Sequence, residues 1–413
     1  MAVLDVTNLR YYYRTRRGAV KAVDDISFSI DAGTTLALVG ESGCGKTSTA
    51  TAILRLLPRN VDTYEGQILL DGQDVKAFSN EEFRKNVRWR GISMVFQGAM
   101  NALSPTTRCG MQIAEPLIVH YDSTAEEALS AAKEELKKVG LPDYVADRYP
   151  HELSGGMKQR VVIAMALVMK PRLVILDEPT SALDVMTQAN IINLLKALQK
   201  ETGLAYLFIT HDLGLASELA SDVAIMYAGR IVEIGSASKV YSSPQHPYTQ
   251  KLIHSVPRLR SEEAPEFIPG APPDLTQAPL GCRFHPRCPF AFEPCGWSSS
   301  ELAAILAREA PGLELEDVYL TNVAKYDTKD PWRLVVTPTK ESPASAIVRT
   351  IQELVDTRRS SATFLRAIEK VEERDGRVVV KLHHGEVPEL AGEDGQRAAC
   401  WLLRKEAQPV AAG

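Results

Sequence analysis

Gly40-Glu41-Ser42-Gly43-Cys44-Gly45-Lys46-Thr47 decides how the rest of the chain is read. The apolar run Thr35-Leu36-Ala37-Leu38-Val39 ahead of it reads as a short buried strand. Ser48 to Leu57 behind it is helix-compatible until Pro58 stops it. Strand, glycine loop and helix start, in that order, is the context in which G-x-x-x-x-G-K-[ST] cradles phosphate. The glycines let successive backbone N–H groups turn in on an anion without a Cβ in the way. The helix N-terminus adds its partial positive charge. Gly40, Ser42, Gly43, Cys44, Gly45, Lys46, Thr47 and Ser48 form the expected contact set. Within it, Lys46 would reach the β and γ phosphates of a nucleotide, and the Thr47 hydroxyl would hold Mg²⁺. A lysine–phosphate pair at about 4 Å and an effective dielectric of about 20 contributes roughly 4 kcal/mol before desolvation.

Upstream, Val3 to Leu9 and Ile26 to Ile30 alternate apolar and polar residues and read as strands of a half-buried antiparallel layer. Tyr11-Tyr12-Tyr13 lies between them; one ring can stack on a base, or all three close a strand end as ordinary aromatics. Downstream, Gly66 to Gly72 reads as a strand closing in a turn, and Ile92 to Phe96 as a strand ending at Gln97. From about Pro105 to Arg148 the character changes: Ser123 to Val139 carries Ala, Glu, Lys and Leu at helical spacing, which predicts a helical subdomain inserted between strands. It ends in HELSGGMKQR, His151 to Arg160. Ser154 suits an N-cap, and Gly155 and Gly156 leave backbone N–H groups able to face a second anion. Leu173-Val174-Ile175-Leu176-Asp177-Glu178 reads as a central parallel strand delivering two acids at the edge where ligands bind in open α/β sheets. Asp177 suits Mg²⁺ and Glu178 suits an attacking water. Ser181-Ala182-Leu183-Asp184 opens a helix to about Lys200, and a strand from Leu204 to Ile209 ends at Thr210-His211-Asp212. A neutral His211 can bond a γ-phosphate or its attacking water. Taken singly, each piece also has a plain structural reading: a capped helix start, a capping acid pair, a strand-end histidine.

The chain has 413 residues, enough for two or three domains. Forty-seven Lys and Arg against 52 Asp and Glu give a net charge of −5, so no nucleic-acid partner follows from charge. The longest apolar run, Val161 to Met169, is half of the ~18 residues a bilayer span needs. MAVLDVTNLR lacks a signal-peptide core, which predicts a cytoplasmic chain whose six cysteines hold metal or stay as thiols.

GESGCGKT, Gln97, LSGGMKQR, LVILDE, SALD and His211 stand in the order of the nucleotide-binding subunit of an ABC transporter, and the chain resembles that family from Val3 to Arg258. The resemblance implies an α/β fold: a RecA-like core with an antiparallel β layer and an inserted helical subdomain, here with a small C-terminal α+β domain. It implies ATP and Mg²⁺ as cofactors. Tyr13 would stack on adenine; Lys46 and Thr47 would hold phosphate and Mg²⁺, with Asp177. Gln97 would touch Mg²⁺ and report to a membrane subunit; Glu178 would be the catalytic carboxylate, and His211 the switch histidine. Ser154, Gly155 and Gly156 would clamp the γ-phosphate of ATP bound to an opposing ATPase subunit, and Asp184 would be a further nucleotide-binding residue. Partners would be two transmembrane permease subunits, a second ATPase subunit, self or paralogue, and an external solute-binding protein. The chain would lie peripherally on the cytoplasmic face of the membrane. A soluble ABC ATPase acting on nucleic acid or ribosomes is the alternative, and it would need tandem cassettes or a long coiled coil. An iron–sulfur regulator on a residual nucleotide fold is the third reading.

Tyr241 to Leu275 is rich in proline and polar residues and reads as a surface linker. HPYTQKL (His246 to Leu252), IPGAPPDL (Ile268 to Leu275) and GCRFHPRCPFAFEPC (Gly281 to Cys295) are similar to the C-terminal extension of the oligopeptide/dipeptide branch. Peptides are then the expected cargo, with oligosaccharide or nickel as alternatives. The C-x5-C-x6-C spacing matches neither a usual zinc C-x2-C nor a ferredoxin run, and by itself leaves metal and free thiols equally open. With the resemblance, Cys282, Cys288, Cys295 and Cys400 become a four-thiolate set for a 4Fe–4S cluster, or Zn²⁺. Trp401 follows Cys400 where the branch more often has histidine. Expected domains are 1–257 for the ATPase, with its helical subdomain at about 105–165; 258–297 with 396–413 for the cysteine extension; and 298–395 for an α+β insertion. Within the insertion, Ser300 to Arg308 and Ala344 to Glu373 read as helices, and Trp332 to Thr337 and Arg377 to His383 as strands; His383 and His384 read as surface residues.

Overall fold

The computed structural model describes residues 2–255, 268–307, 320 and 323–404. The end of the resemblance at Arg258, the middle of the linker (256–267), Arg308 and the last residues of the cysteine extension (405–413) lie outside the described residues. The chain divides into two compact units, Met1–Tyr241 and Ser242–Gly413.

In the first unit, strands β1 (Ala2–Thr15), β2 (Gly18–Asp31), β4 (Val61–Leu70) and β5 (Gln73–Asp74) make an antiparallel sheet in the order β2-β1-β4-β5. β1 and β2 are longer than their alternating cores, and Tyr11, Tyr12 and Tyr13 lie inside β1, with Tyr11 opposite Val23 and Tyr13 opposite Val20. The second sheet contains β3 (Thr35–Val39), β6 (Ile92–Val95), β7 (Leu173–Asp177), β8 (Ala205–Thr210), β9 (Asp222–Tyr227) and β10 (Arg230–Ser236), in the order β10-β9-β3-β8-β7-β6. The β9–β10 pair is antiparallel; the others are parallel. Every residue of β3, β6, β7 and β8 is buried, which is why these segments read as apolar runs and not as alternation.

Helix α1 (Lys46–Ile53) follows β3, and α2 (Asn80–Asn86) follows β5. α1 is shorter than the segment before Pro58: Arg55 turns left-handed (φ 50°), and its guanidinium donates to the Phe78 carbonyl at 2.7 Å. Between β6 and β7 come α3 (Cys109–Tyr121), α4 (Ala125–Lys138) and α5 (Gly155–Leu167). Thr124 and Glu127 cap α4 reciprocally, and α4 packs on both α3 and α5. α6 (Val185–Thr202) links β7 to β8, α7 (Leu213–Leu219) links β8 to β9, and α8 (Ala237–Ser242) follows β10.

The second unit opens with α9 (Pro247–His254) and the cysteine loop, then builds an α+β module. α10 (Ser299–Leu306) and α11 (Ala344–Arg358) pack on an antiparallel sheet of β11 (Lys325–Asp330), β12 (Arg333–Thr337), β13 (Ile368–Arg374) and β14 (Arg377–Leu382), in the order β11-β12-β14-β13. Leu302, Leu334, Ile347, Ile351, Phe364 and Val380 lie in its core. The helix expected over Ala344 to Glu373 stops at Arg358. Asp375-Gly376, with φ of 51° and 69°, turns a hairpin that recruits 368–374 as a strand.

Candidate functional site: the nucleotide cradle

The glycine loop lies between walls of backbone. A Cβ on Gly40 would sit 2.0 Å from the Met226 carbonyl oxygen, and one on Gly45 (φ 109°) would sit 2.0 Å from that of Ala22. No side chain fits at either position, so this close approach explains both glycines. Lys46 is buried; its Nζ donates to the Gly40 and Glu41 carbonyls at 2.8 and 3.0 Å and lies 3.8 Å from Cys44 Sγ. Burial pushes the Cys44 thiol up, against the pull of Lys46, so it is a packing group and not a thiolate. Ser42, Gly43 and Thr47 are exposed at the mouth. The Tyr13 hydroxyl donates to Ser48 Oγ at 3.1 Å, and its ring packs 4.7 Å from that of Tyr11, which places Tyr13 at the head of α1.

β7 delivers Asp177 and Glu178 beside this loop. Asp177 is buried, and neither carboxylate oxygen has a hydrogen-bond partner. Desolvation raises its pKa; the Thr47 hydroxyl opposes this, Glu178 reinforces it, and Lys46 opposes it. A buried carboxylate without a bonding partner, next to the Thr47 hydroxyl, has the donor chemistry of an Mg²⁺ site.

Glu178 adopts φ 48°, rare outside glycine, just past the strand end, where its N–H donates to the Ile209 carbonyl at 2.9 Å. Its Oε2 accepts from Gln97 Nε2 at 2.9 Å, and its Oε1 lies 2.9 Å from His211 Nδ1. A carboxylate only accepts, so Nδ1 carries the proton of this contact. Gln97, Glu178 and His211 follow β6, β7 and β8, which are neighbours in the parallel sheet, so their side chains meet.

Ser154, Gly155, Gly156 and Asp184 form a separate group. Ser154 caps α5 by accepting from Met157 N at 3.3 Å, and Asp184 caps α6 by accepting from Thr187 N and Oγ1 at 2.9 and 2.7 Å. The Thr187 hydroxyl holds Asp184 below the usual carboxylate range. A Cβ on Gly156 would stand 2.8 Å from Thr187 Cγ2, so the two helix starts pack closely at this point. Ser154 and Gly155 are exposed.

The family profile described as ABC transporter matches residues 23–181. The one described as oligopeptide/dipeptide transporter, C-terminal region, matches 232–295. The oligopeptide transport ATP-binding protein OppD of Bacillus subtilis is 46% identical over 296 residues, covering 70% of this chain and 82% of its own. The dipeptide transport ATP-binding protein DppD of the same organism is 45% identical over 298 residues, covering 71% and 88%. A solved dimer of an ATP-binding cassette in a post-hydrolysis state, with ADP and Pi bound, matches with a TM-score of 0.51 at 29% identity, covering 57% of this chain and 98% of that one. The chain is an ABC transporter ATP-binding subunit of the oligopeptide/dipeptide branch.

Two features of this ABC ATPase escaped sequence reasoning. An apolar cavity of about 260 Å³ is lined among others by Leu54, Trp89, Met94, Leu103, Met165 and Phe96, the residue before Gln97. Its walls come from separated segments, so no periodicity marks it. Tyr12, Asp24 and Arg230 form a polar junction behind the glycine loop. The acid and the arginine stand 206 residues apart, and nothing local signals the pair.

In the second unit, Cys282, Cys288, Cys295 and Cys400 line one cavity of about 10 Å³, roughly the room of one water. None of the four is in a disulfide. Among the described residues, no three His, Cys, Asp or Glu groups converge closely enough to hold a metal ion. The donor set therefore suits soft-metal chemistry, whereas its spacing here does not form a metal cage. Burial pushes the Cys282 and Cys288 thiols up to about 12 and raises Cys295. His285, buried in the same loop, lies 2.8 Å by Nδ1 from the Cys282 carbonyl and 3.3 Å by Nε2 from Glu301. His384 stacks on Trp332 at 5.2 Å.

Proposed function

We propose that this ABC ATPase is the motor of a peptide importer, in which two cassettes close on ATP and hydrolysis reopens them. The observation that carries the mechanism is Glu178 held between Gln97 and His211, beside the unpartnered Asp177. In this reading Lys46 and the loop N–H groups bind the β and γ phosphates, and Tyr13 stacks on adenine. Thr47 and Asp177, with Gln97, would hold Mg²⁺, which would neutralise phosphate charge when bound. Glu178 orients and deprotonates the attacking water, and His211 Nε2 accepts from that water or from a protonated phosphate oxygen.

The second cassette supplies the other half of the site. Ser154, Gly155 and Gly156 offer an exposed helix start to its γ-phosphate, and Asp184 shapes that start through Thr187. Val185 and Met186, 79% and 74% exposed next to Asp184, favour burial against another chain. ATP then drives closure through its higher affinity for the closed pair. The cavity lined by Phe96 takes an apolar helix end of a membrane subunit, so docking there bears on the adjacent glutamine that holds Glu178. Among the described residues no helix is long and apolar enough to cross a membrane. Two permease subunits supply the spans, an external solute-binding protein delivers the peptide, and this chain works on the cytoplasmic face.

We also infer that the four thiols close on a 4Fe–4S cluster, with Zn²⁺ as the alternative; the shared cavity supports this and the present spacing requires the loop to rearrange. Anaerobically purified protein should be coloured and carry iron and sulfide; colourless protein with stoichiometric zinc selects the alternative. The function is tested by purifying the full complex and following labelled oligopeptide uptake. Uptake abolished by Glu178→Gln supports the reading, and uptake of nickel or an oligosaccharide in place of peptide replaces the cargo while keeping the motor.

A further inference from the structure

We propose that Asp24 is a positioning residue for nucleotide, joining the aromatic strand that receives the base to the loop that receives the phosphates. The side chain is buried, 6% exposed. Its Oδ2 accepts from Arg230 Nε at 3.2 Å and Nη2 at 2.9 Å, and its Oδ1 accepts from the Tyr12 hydroxyl. Its backbone continues the linkage: Asp24 N–H donates to the Gly229 carbonyl at 2.8 Å, and Gly229 N–H donates to the Cys44 carbonyl at 2.8 Å. Two successive hydrogen bonds thus run from Asp24 into the glycine loop.

The same carboxylate gathers the segments that form the loop's walls. Ala22, two residues before Asp24, presents the carbonyl that leaves Gly45 no room for a side chain; Met226, at the β9 end of the turn that leads to Arg230, does so for Gly40. Tyr12 precedes Tyr13, whose hydroxyl reaches Ser48 at the head of α1. Charge-assisted bonds in a buried site are stronger than neutral ones and hold geometry more tightly. Asp24 therefore acts through Tyr12, Gly229 and Cys44, presetting the distance between base and phosphate sites before nucleotide arrives, which lowers the ordering cost of binding.

This rests on the reading that Gly40–Thr47 holds a triphosphate. The test uses the full-length chain and two probes, Mg·ATP and inorganic triphosphate with Mg²⁺, titrated calorimetrically alongside thermal melts and steady-state turnover. Asp24→Asn is expected to weaken both probes about tenfold and to raise KM for ATP similarly, with kcat changed less than twofold. Tyr12→Phe, which removes one hydroxyl, is expected to weaken ATP about threefold and leave triphosphate unchanged, since only the base-side link is cut. Arg230→Lys should recover part of the affinity lost in Arg230→Ala. A lowered Tm with unchanged affinity for both probes, or a loss confined to kcat, overturns the proposal. Should Asp24→Asn fail to fold, Tyr12→Phe decides by the same contrast. Wild-type protein that binds neither probe would instead refute the phosphate-loop reading.

Discussion

Two helix starts in this chain suit an anion, and they are built in opposite ways. The start of α1 is walled: carbonyls of Ala22 and Met226 press on Gly45 and Gly40, Lys46 is buried, and Asp177 waits beside it without a partner. The start of α5 is open: Ser154 and Gly155 are exposed, Ser154 caps its own helix, and the neighbouring Asp184 spends its acceptors on Thr187. A walled start with a buried cation has within one chain all that a phosphate site needs. An open start with satisfied caps is half of one, and in the proposed motor a second chain would supply the other half. Under the proposed function, the difference would separate what one cassette does alone, which is to bind ATP, from what needs two, which is to turn it over.

The strongest test of that division is Glu178→Gln. Turnover should fall by about 10³, within the range for loss of a general base, while ATP binding persists and a closed pair accumulates. Phosphate release and size-exclusion with ATP measure both; near-normal turnover removes Glu178 from the role of base. Next, Lys46→Ala should weaken ATP binding to the isolated chain by about 10²-fold, less than the bare Coulomb energy because water fills the gap. Ser154→Ala should leave that binding unchanged and lower turnover by about tenfold. Equal losses of binding in the two variants would mean that both starts serve one phosphate within one chain, and the contrast would fail.

Asp177→Asn should raise the stability of the nucleotide-free chain by roughly 1 kcal/mol at neutral pH, since it removes a buried carboxylate without a partner. The sign follows from its raised pKa. As pH rises from the unfolded value through the folded one, the native state retains a proton longer, and the full cost of the charge appears only above that window. The stabilisation should therefore shrink in acid, as melts across pH would show; Mg²⁺-dependent turnover should be lost throughout. The smallest effect is on stability: Ser154→Ala should cost about 1 kcal/mol through its cap alone. A much larger cost would show that the open start is held by more than its own serine.

Much of the site was legible in the chain because its parts are local. A glycine loop between an apolar strand and a helix start, a capped Ser-Gly-Gly, and two acids ending an apolar run each depend on a few consecutive residues, and all stand at the expected places in the fold. Other features were not legible. The length of β1, which takes in Tyr11 to Tyr13, depends on pairing with β2 and β4. The hairpin at Asp375-Gly376 overrode a helical pattern that ran on past Arg358, because pairing along β14 outweighs local propensity. The four cysteines do line one cavity, yet their spacing, set by packing around His285 and Trp401, does not follow from the sequence.

Sequence alone determined the kind of chemistry here: where a glycine loop suited to phosphate lies, where the acids stand, and which family the order of motifs belongs to, since loop and cap geometry are short-range properties of the backbone. Only the tertiary structure decided which of them act together. Gln97, Glu178 and His211 meet because β6, β7 and β8 lie side by side, and Asp24 meets Arg230 because β2 crosses behind the β9–β10 turn. Sheet order is fixed by burial summed over the whole unit, and no window of sequence contains that sum.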